Sequence, residues 1–487
     1  MLPRDTTHGW FTVYNDIIEL LDIKDENIVV KDVVIKGSCK EILLEQKIRE
    51  HYCPICSFRM YSKGIYVRHV NHPILQDGTH LTLTIRQRRW QCSNPTCRNM
   101  ETDKFSLVDS RKRNTNVTDL LIVKAFKDPQ LSVSQIAKQF NVSDTYAFYT
   151  FARYVNMERR TLPKALSVDE VFLDVGKDKY ALVLQDFVTG EPIDLVINRR
   201  KEITEPYFAS IPISEKLRVK YLISDMYKPY VAYVDQYFPN AVSVVDSFHV
   251  IKLINDKLSS YIRGVIRRLN DRDLKRHEEL EQRLGRHIQL THSSEYKLMK
   301  HYQWVLLANE SNLNYSKPRF DRRFNMYMYV GDYERKIFEI EPNLKELREL
   351  KNLYIRFNSG SYSDLKAVRR ELGKLIAIYR KSRHRLFNEV ADSLESYFEE
   401  ILNSFVMIEK LTSDGPVERR LSNGPIEALN RIPKDMKRHA RGFSNFDHVR
   451  NRFLFSQRKN AYILGTPRTM EEIQKSTGKK RGHYKKD

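Results

Sequence analysis

The spacing of apolar and polar residues changes several times along this chain, and each change predicts a different kind of element. The stretch LTLTIRQRRWQC (81–92) alternates and predicts a strand. Residues 117–126, VTDLLIVKAF, carry the helical period, and SVSQIAKQFNVSDTYAFYTFARYV predicts two more helices about a tight turn. Ser132 or Ser134 starts the first of these, with Ile136, Ala137 and Phe140 facing inward. Asn141-Val142-Ser143 makes the turn, and the second helix runs from Asp144 to about Val155. From Leu166 the runs become short and rich in Val, Ile and Leu. ALSVDEVFLDV, KYALVLQDFV and PIDLVINRR predict three consecutive strands, with a turn at Thr189-Gly190. Helical TEPYFASIP precedes a fourth strand, VKYLISDM, and helical YKPYVAYVDQYF precedes a fifth, AVSVVDSFHV. Between residues 256 and 414 the pattern is mostly helical, and its charge spacing reads as amphipathic helices packed on a core rather than a coiled coil. Trp304, in YQWVLL, could stack on an extruded base, but a place inside that core is favoured.

Three carboxylates stand out against this pattern. Asp169 (LSVDEVFL) and Asp225 (VKYLISDM) lie on or at the end of apolar strands, and Glu427 follows Ser422-Asn423-Gly424-Pro425, where Asn423 can cap and Pro425 can open a helix. A carboxylate among apolar neighbours is costly unless something positive pairs with it. Three of them, far apart in sequence, suit a Mg²⁺ or Mn²⁺ site for phosphodiester chemistry. Asp246, in VVDSFH, competes with Asp225 as a ligand, and the strand order favours Asp225. Strand alternation points Glu170 away from Asp169. His249 could lie beside the acids as a supporting group, with packing or capping the favoured role. Pro433 falls in the predicted helix after Glu427 and should kink it.

Cysteine spacing adds a second metal site. Cys53 and Cys56 form a CxxC, Cys92 and Cys97 a Cx4C, and four thiolates satisfy tetrahedral Zn²⁺ in a structural role. His69, His72 and His80, between the pairs, could substitute as ligands but read rather as strand or loop histidines, and Cys39 as a lone inert thiol. Such cysteine usage fits metal binding in a reducing cytoplasm better than disulfides. With 83 Lys+Arg against 62 Asp+Glu, the net charge is +21, which points to a nucleic-acid partner. No apolar run is long enough to cross a membrane, and the opening MLPRDTTHGW lacks a signal-peptide core. Candidate DNA contacts are Ser143, Thr145, Tyr146, Tyr149 and Arg153 on the second helix of the pair. Arg431, Lys434 and Arg438, at i+4, i+7 and i+11 from Glu427, form another candidate face.

Three antiparallel strands followed by alternating helix and strand is the order of a ribonuclease H-like fold. The expected class is therefore α+β multidomain. A lead segment (1–48) precedes a zinc ribbon (49–110) and a helix-turn-helix (111–160). A ribonuclease H-like core (161–255 and 415–465) is interrupted by a helical insertion (256–414), and a basic tail (466–487) follows. RRWQC with the paired cysteines, VDE, ISDM, FPNAVSVVDSFHVIKLIN and SNGPIEALNRIPKDMKRHARGFSNFDHVRNRF, in this order, resemble the bacterial insertion-sequence DDE transposases of the ISL-three family. The resemblance implies that Asp169, Asp225 and Glu427 are the catalytic metal-binding triad. It implies an enzyme that binds terminal inverted repeats and target DNA, then cleaves and transfers strands, working as at least a dimer in a bacterial, nucleoid-associated setting. Ala428 stands where the family often has glycine. Two other readings remain open: a DNA-binding regulator with an inert nuclease core, and a ribonuclease H-like nuclease that does not transpose.

Overall fold

The computed structural model describes residues 26–73, 80–412 and 414–476, so the opening segment and the basic tail from 477 onward lie outside the described residues. Residues 26–159, 171–181 and 431–476 belong to one compact unit, and 160–170 with 182–430 to a second.

The first unit begins with a six-stranded sheet of β1 (Ile28–Lys36), β2 (Cys39–Gln46), β3 (His51–Tyr52), β4 (Arg59–His72), β5 (His80–Cys92) and β6 (Met100–Thr102). Its order is β1-β2-β5-β4-β3, with β6 also on β5. The alternation of β5 sends Leu81, Leu83 and Ile85 into a core with Ile28, Ile42, Leu44 and Val70. Residues 28–46, read from sequence as a lead segment, are thus part of the same sheet as the cysteines.

Three helices follow, Asn116–Ala125, Val133–Gln139 and Asp144–Tyr154. Ser132 caps the second through a capping box with Gln135, and Ser143 caps the third. Between them Asn141 adopts φ 52°, a left-handed conformation that asparagine tolerates. The helix Phe446–Gln457 completes this cluster. His448 stacks on Phe148 at 4.3 Å, Arg452 is buried over the Phe126 ring and donates to the Leu131 carbonyl, and Lys127 donates to the carbonyls of Phe455 and Arg458, each at 2.6 Å. The sequence division put residues 415–465 with the last part of the catalytic core; within them, the helix Phe446–Gln457 packs against these three helices.

β7 (Ala165–Val175), β8 (Asp178–Asp186), β9 (Pro192–Val196), β10 (Tyr221–Ser224) and β11 (Val242–Val245) form a sheet of order β11-β10-β7-β8-β9, which belongs to the second unit except for residues 171–181. β8 and β9 pair antiparallel, whereas β10 is parallel to both β7 and β11. Parallel neighbours need crossovers, and the helices Lys201–Ala209 and Lys228–Tyr237 supply them. After β11 comes a 38-residue helix, Ser247–Leu284. Its Val250, Ile254, Leu258 and Ile262 share one core with Leu347, Tyr354, Leu372, Tyr379 and Phe387 from later helices. A short hairpin, β12 (Arg319–Asp321) with β13 (Met326–Met328), interrupts the helices, and β14 (Met407–Thr412) with β15 (Gly415–Arg420) closes the region.

Trp304 departs from expectation. It opens the turn Trp304–Leu307 and is 46% exposed, while Val305 and Leu306 take the core positions. Lys351, fully buried, closes the end of that turn by donating to the carbonyls of Leu306, Leu307 and Ala308 at 2.6–2.8 Å. Burial, with Arg348 adding to it, lowers its pKa to about 8.

Candidate active site

Asp169 occupies the middle of β7, where the alternation of a strand covered by apolar neighbours leaves its carboxylate buried. Oδ1 accepts from the Glu170 backbone N–H at 2.8 Å and Oδ2 from Asn430 Nδ2 at 2.7 Å. Burial pushes its pKa up to about 7, with the charges of Asp225 and, more weakly, Glu427 acting in the same direction. Asp225 follows directly on β10, the parallel neighbour of β7. Glu427 lies in the first turn of the helix Gly424–Leu429, where a carboxylate also meets the positive end of the helix dipole.

His249 links the last two acids. Its Nε2 stands 2.5 Å from Asp225 Oδ1 and 3.7 Å from Glu427 Oε1. Burial pulls the His249 pKa down, but the carboxylates of Asp225, Asp246 and Glu427 outweigh it and the net shift is upward. The Glu427 pKa is raised by burial, with Asp246 and Asp225 adding to it against His249. Packing or capping was the expected role of His249; its ring instead faces two of the three candidate ligands. The signal was its place three residues beyond the strand-ending Asp246.

Asn423 was read as a helix cap, yet its side chain makes no cap hydrogen bond. Fully buried, it donates from Nδ2 to Asp225 Oδ1 at 2.8 Å, and its backbone N–H donates to Asp246 Oδ2 at 2.6 Å. The other oxygen of Asp246 caps the long helix through the Phe248 N–H at 3.0 Å. Both Asp246 oxygens are therefore engaged by backbone donors. Glu170 points elsewhere and pairs with Arg199. The expected kink at Pro433 is a break instead. The first helix ends at Leu429 and a second, Arg431–Ala440, begins two residues later, so Pro433 sits in a first turn, where its missing N–H costs nothing. The break leaves Asn430 buried and directed at Asp169.

By the chemistry of their oxygens the three carboxylates, two of them with raised pKa values, could hold a hard divalent cation, although only the cysteine sulfurs form a group of donors within 4.8 Å of one another among the described residues. A family model described as a transposase matches residues 166–453, a span that contains all three. The chain belongs to the ISL-three family of DDE transposases. No curated protein matches it.

The transposase carries a second donor cluster in its first unit. The sulfurs of Cys53, Cys56, Cys92 and Cys97 lie within 4.8 Å of one another, with Cys53–Cys97 at 3.7 Å and Cys56–Cys92 at 3.4 Å. Tetrahedral Zn²⁺ with bonds of about 2.3 Å sets sulfurs roughly 3.8 Å apart, so the residues fit a structural zinc ion. Although burial pushes the Cys53 thiol up, backbone N–H donors at Cys56 and Ile55 bring it down to about 6. Burial pushes Cys92 up to about 12, and the neighbouring sulfurs add to the shift.

Of the candidate DNA contacts, Ser143 and Thr145 are exposed and Tyr149 is half-buried. Tyr146 donates its hydroxyl to Asp119 at 2.6 Å, and Arg153 donates from Nε to the Arg468 carbonyl at 3.3 Å, so both already hold the helices together. Arg431, Lys434 and Arg438 are exposed on the helix Arg431–Ala440.

Proposed function

We propose that this transposase binds the terminal inverted repeats of an insertion sequence and cuts and joins DNA at Asp169, Asp225 and Glu427, on a ribonuclease H-like core. The observation that carries the reading is the approach of Asp225 and Glu427 to one His249 nitrogen, with both acids raising the pKa of Asp169. When bound, Mg²⁺ or Mn²⁺ neutralises charge on the attacking and leaving oxygens of an in-line displacement at phosphorus. Asp169, Asp225 and Glu427 supply its oxygen ligands; Asn430 and Asn423 fix the rotamers of the two aspartates. His249, adjoining both Asp225 and Glu427, limits how far those two acids can turn.

In the first step water attacks the phosphate at the element's end, a P–O bond forms, and the P–O3′ bond breaks to free a 3′-OH. That 3′-OH then attacks target DNA, joining to its phosphorus as the target's own P–O3′ bond breaks. No tyrosine nucleophile is required. Ser143, Thr145 and Tyr149, with Arg431, Lys434 and Arg438, are assigned to DNA contact, chiefly to phosphates. A dimer on paired ends and structural Zn²⁺ at the four cysteines complete the proposal.

The test is Mg²⁺-dependent cleavage of DNA carrying the flanking terminal repeats, comparing wild type with Asp225→Ala. Specific 3′-OH ends from wild type alone, and their transfer to a target, are expected. Binding without cleavage by both proteins would favour a regulator with an inert core. Cleavage without joining of a pre-cut end would favour a plain nuclease.

A further inference from the structure

The hairpin β12–β13 projects from the helical insertion with a composition unlike the helices around it. Across its two strands Phe320 faces Tyr327, the rings meeting edge to face at 5.3 Å, and both are exposed, at 50% and 68%. Lys317, Arg319, Arg322 and Arg323 are exposed around them. The single carboxylate within residues 317–328, Asp321, is buried and cannot balance these charges at the surface.

Asp321 instead anchors the hairpin. It accepts from the hydroxyls of Tyr302 and Tyr333, the latter at 2.7 Å, and from the Arg323 N–H at 2.8 Å. The two tyrosines stack at 4.2 Å with rings 13° from parallel, and Met328 is buried beside Asp321 on the inward side. Such a base makes the outward face rigid. Exposed large aromatics are unfavourable in water, and a fixed aromatic pair ringed by cations calls for a partner that is both anionic and π-faced.

We propose that this hairpin binds DNA with unpaired bases, Phe320 and Tyr327 stacking on base faces while Arg319 and Arg322 contact the adjoining phosphates. In a paired duplex the base faces are covered by their neighbours, so only an unpaired or splayed stretch offers them. A protein partner would meet the same aromatics but has no general reason to be polyanionic, so net positive charge favours nucleic acid. This inference rests on the reading of the chain as an enzyme that opens and joins DNA, and names how it would hold the strand.

The experiment uses the whole zinc-loaded protein and a fluorescent oligothymidylate, a probe without terminal repeats, so that binding is read independently of cleavage or end recognition. Wild type should bind it, and Phe320→Ala/Tyr327→Ala should weaken that binding roughly tenfold or more while leaving affinity for a fully paired duplex within about twofold. Arg319→Ala/Arg322→Ala should weaken both and lower the salt dependence by about two phosphate contacts. Phe320→Tyr/Tyr327→Phe, which keeps both rings, should bind as wild type and exclude misfolding as the cause. Equal binding of oligothymidylate by wild type and the alanine pair, or none by wild type, overturns the inference whatever the cleavage assay gives. So does a change in oligomeric state in the alanine pair with DNA binding intact, which would make the hairpin a surface for a second copy of the chain.

Discussion

The cysteines gather from within residues 53–97 and the carboxylates from as far apart as 169 and 427, and the two sets are held in opposite ways. The four sulfurs already stand at the separations a tetrahedral ion imposes, and backbone N–H groups favour a thiolate at Cys53 before any metal arrives. The acids are held from several elements: Asp169 by Asn430 and Glu170, Asp225 by Asn423, and Glu427 by the first turn of its helix, with His249 between the last two. A closed, self-satisfied set of ligands suits a structural ion. Under the proposed function, acids held from separate elements would leave room for substrate oxygens.

Cys92→Ser should break the comparison most severely. Structural zinc contributes about 10–16 kcal/mol to small folds, so the variant should lose its zinc and the melting transition of the N-terminal sheet, read by metal analysis and calorimetry. Asp169→Asn should do the reverse. Strand cleavage should fall by about a thousandfold or more, while the metal-free melting temperature at pH 8 does not drop. The reason is the sign of its linkage. A carboxyl whose folded pKa is raised to about 7 stabilises fully below its unfolded value, and that contribution is lost as pH rises through about 7. Metal-free wild type should accordingly melt lower as pH climbs from about 4 to 7, and its Mn²⁺ affinity should rise over the same range because binding releases the proton. Asn423→Ala should weaken metal affinity or cleavage by about 10–100-fold through loss of the Asp225 rotamer, with a smaller effect on folding. Glu170→Gln, next to Asp169 but paired with Arg199, should change cleavage less than about threefold, since an exposed ion pair contributes little.

Much of this was legible in the sequence because period-two and 3.6-residue patterns speak for single elements. Ser132, Ser143 and the five strands were visible in that way, as was the placement of Asp169 and Asp225 on neighbouring strands. What pattern cannot give is the partner of a polar side chain. Asn423 has the right type and position for a helix cap, but the half-buried Asp225 offers its amide a stronger, charged acceptor. Trp304 lies in an apolar run, and only the packing of Val305 and Leu306 decides that the ring faces water. Pro433 was read as a kink because the break at Asn430 has no glycine or other local signal; the pull of Asp169 on Asn430 is a tertiary one. The helix Phe446–Gln457 likewise has no local mark of packing on the helices of residues 116–154, since nothing near His448 and Arg452 in sequence names the aromatic rings they meet.

The long helix Ser247–Leu284 begins at the Asp246 cap, carries His249 in its first turn, and runs on for 38 residues. At 1.5 Å per residue it is roughly 57 Å long, so a tilt of only about 5° at its capped end sweeps the far end by roughly 5 Å. Because Val250, Ile254, Leu258 and Ile262 are buried in one core, the turn that carries His249 is held in place by packing that extends well beyond the acids.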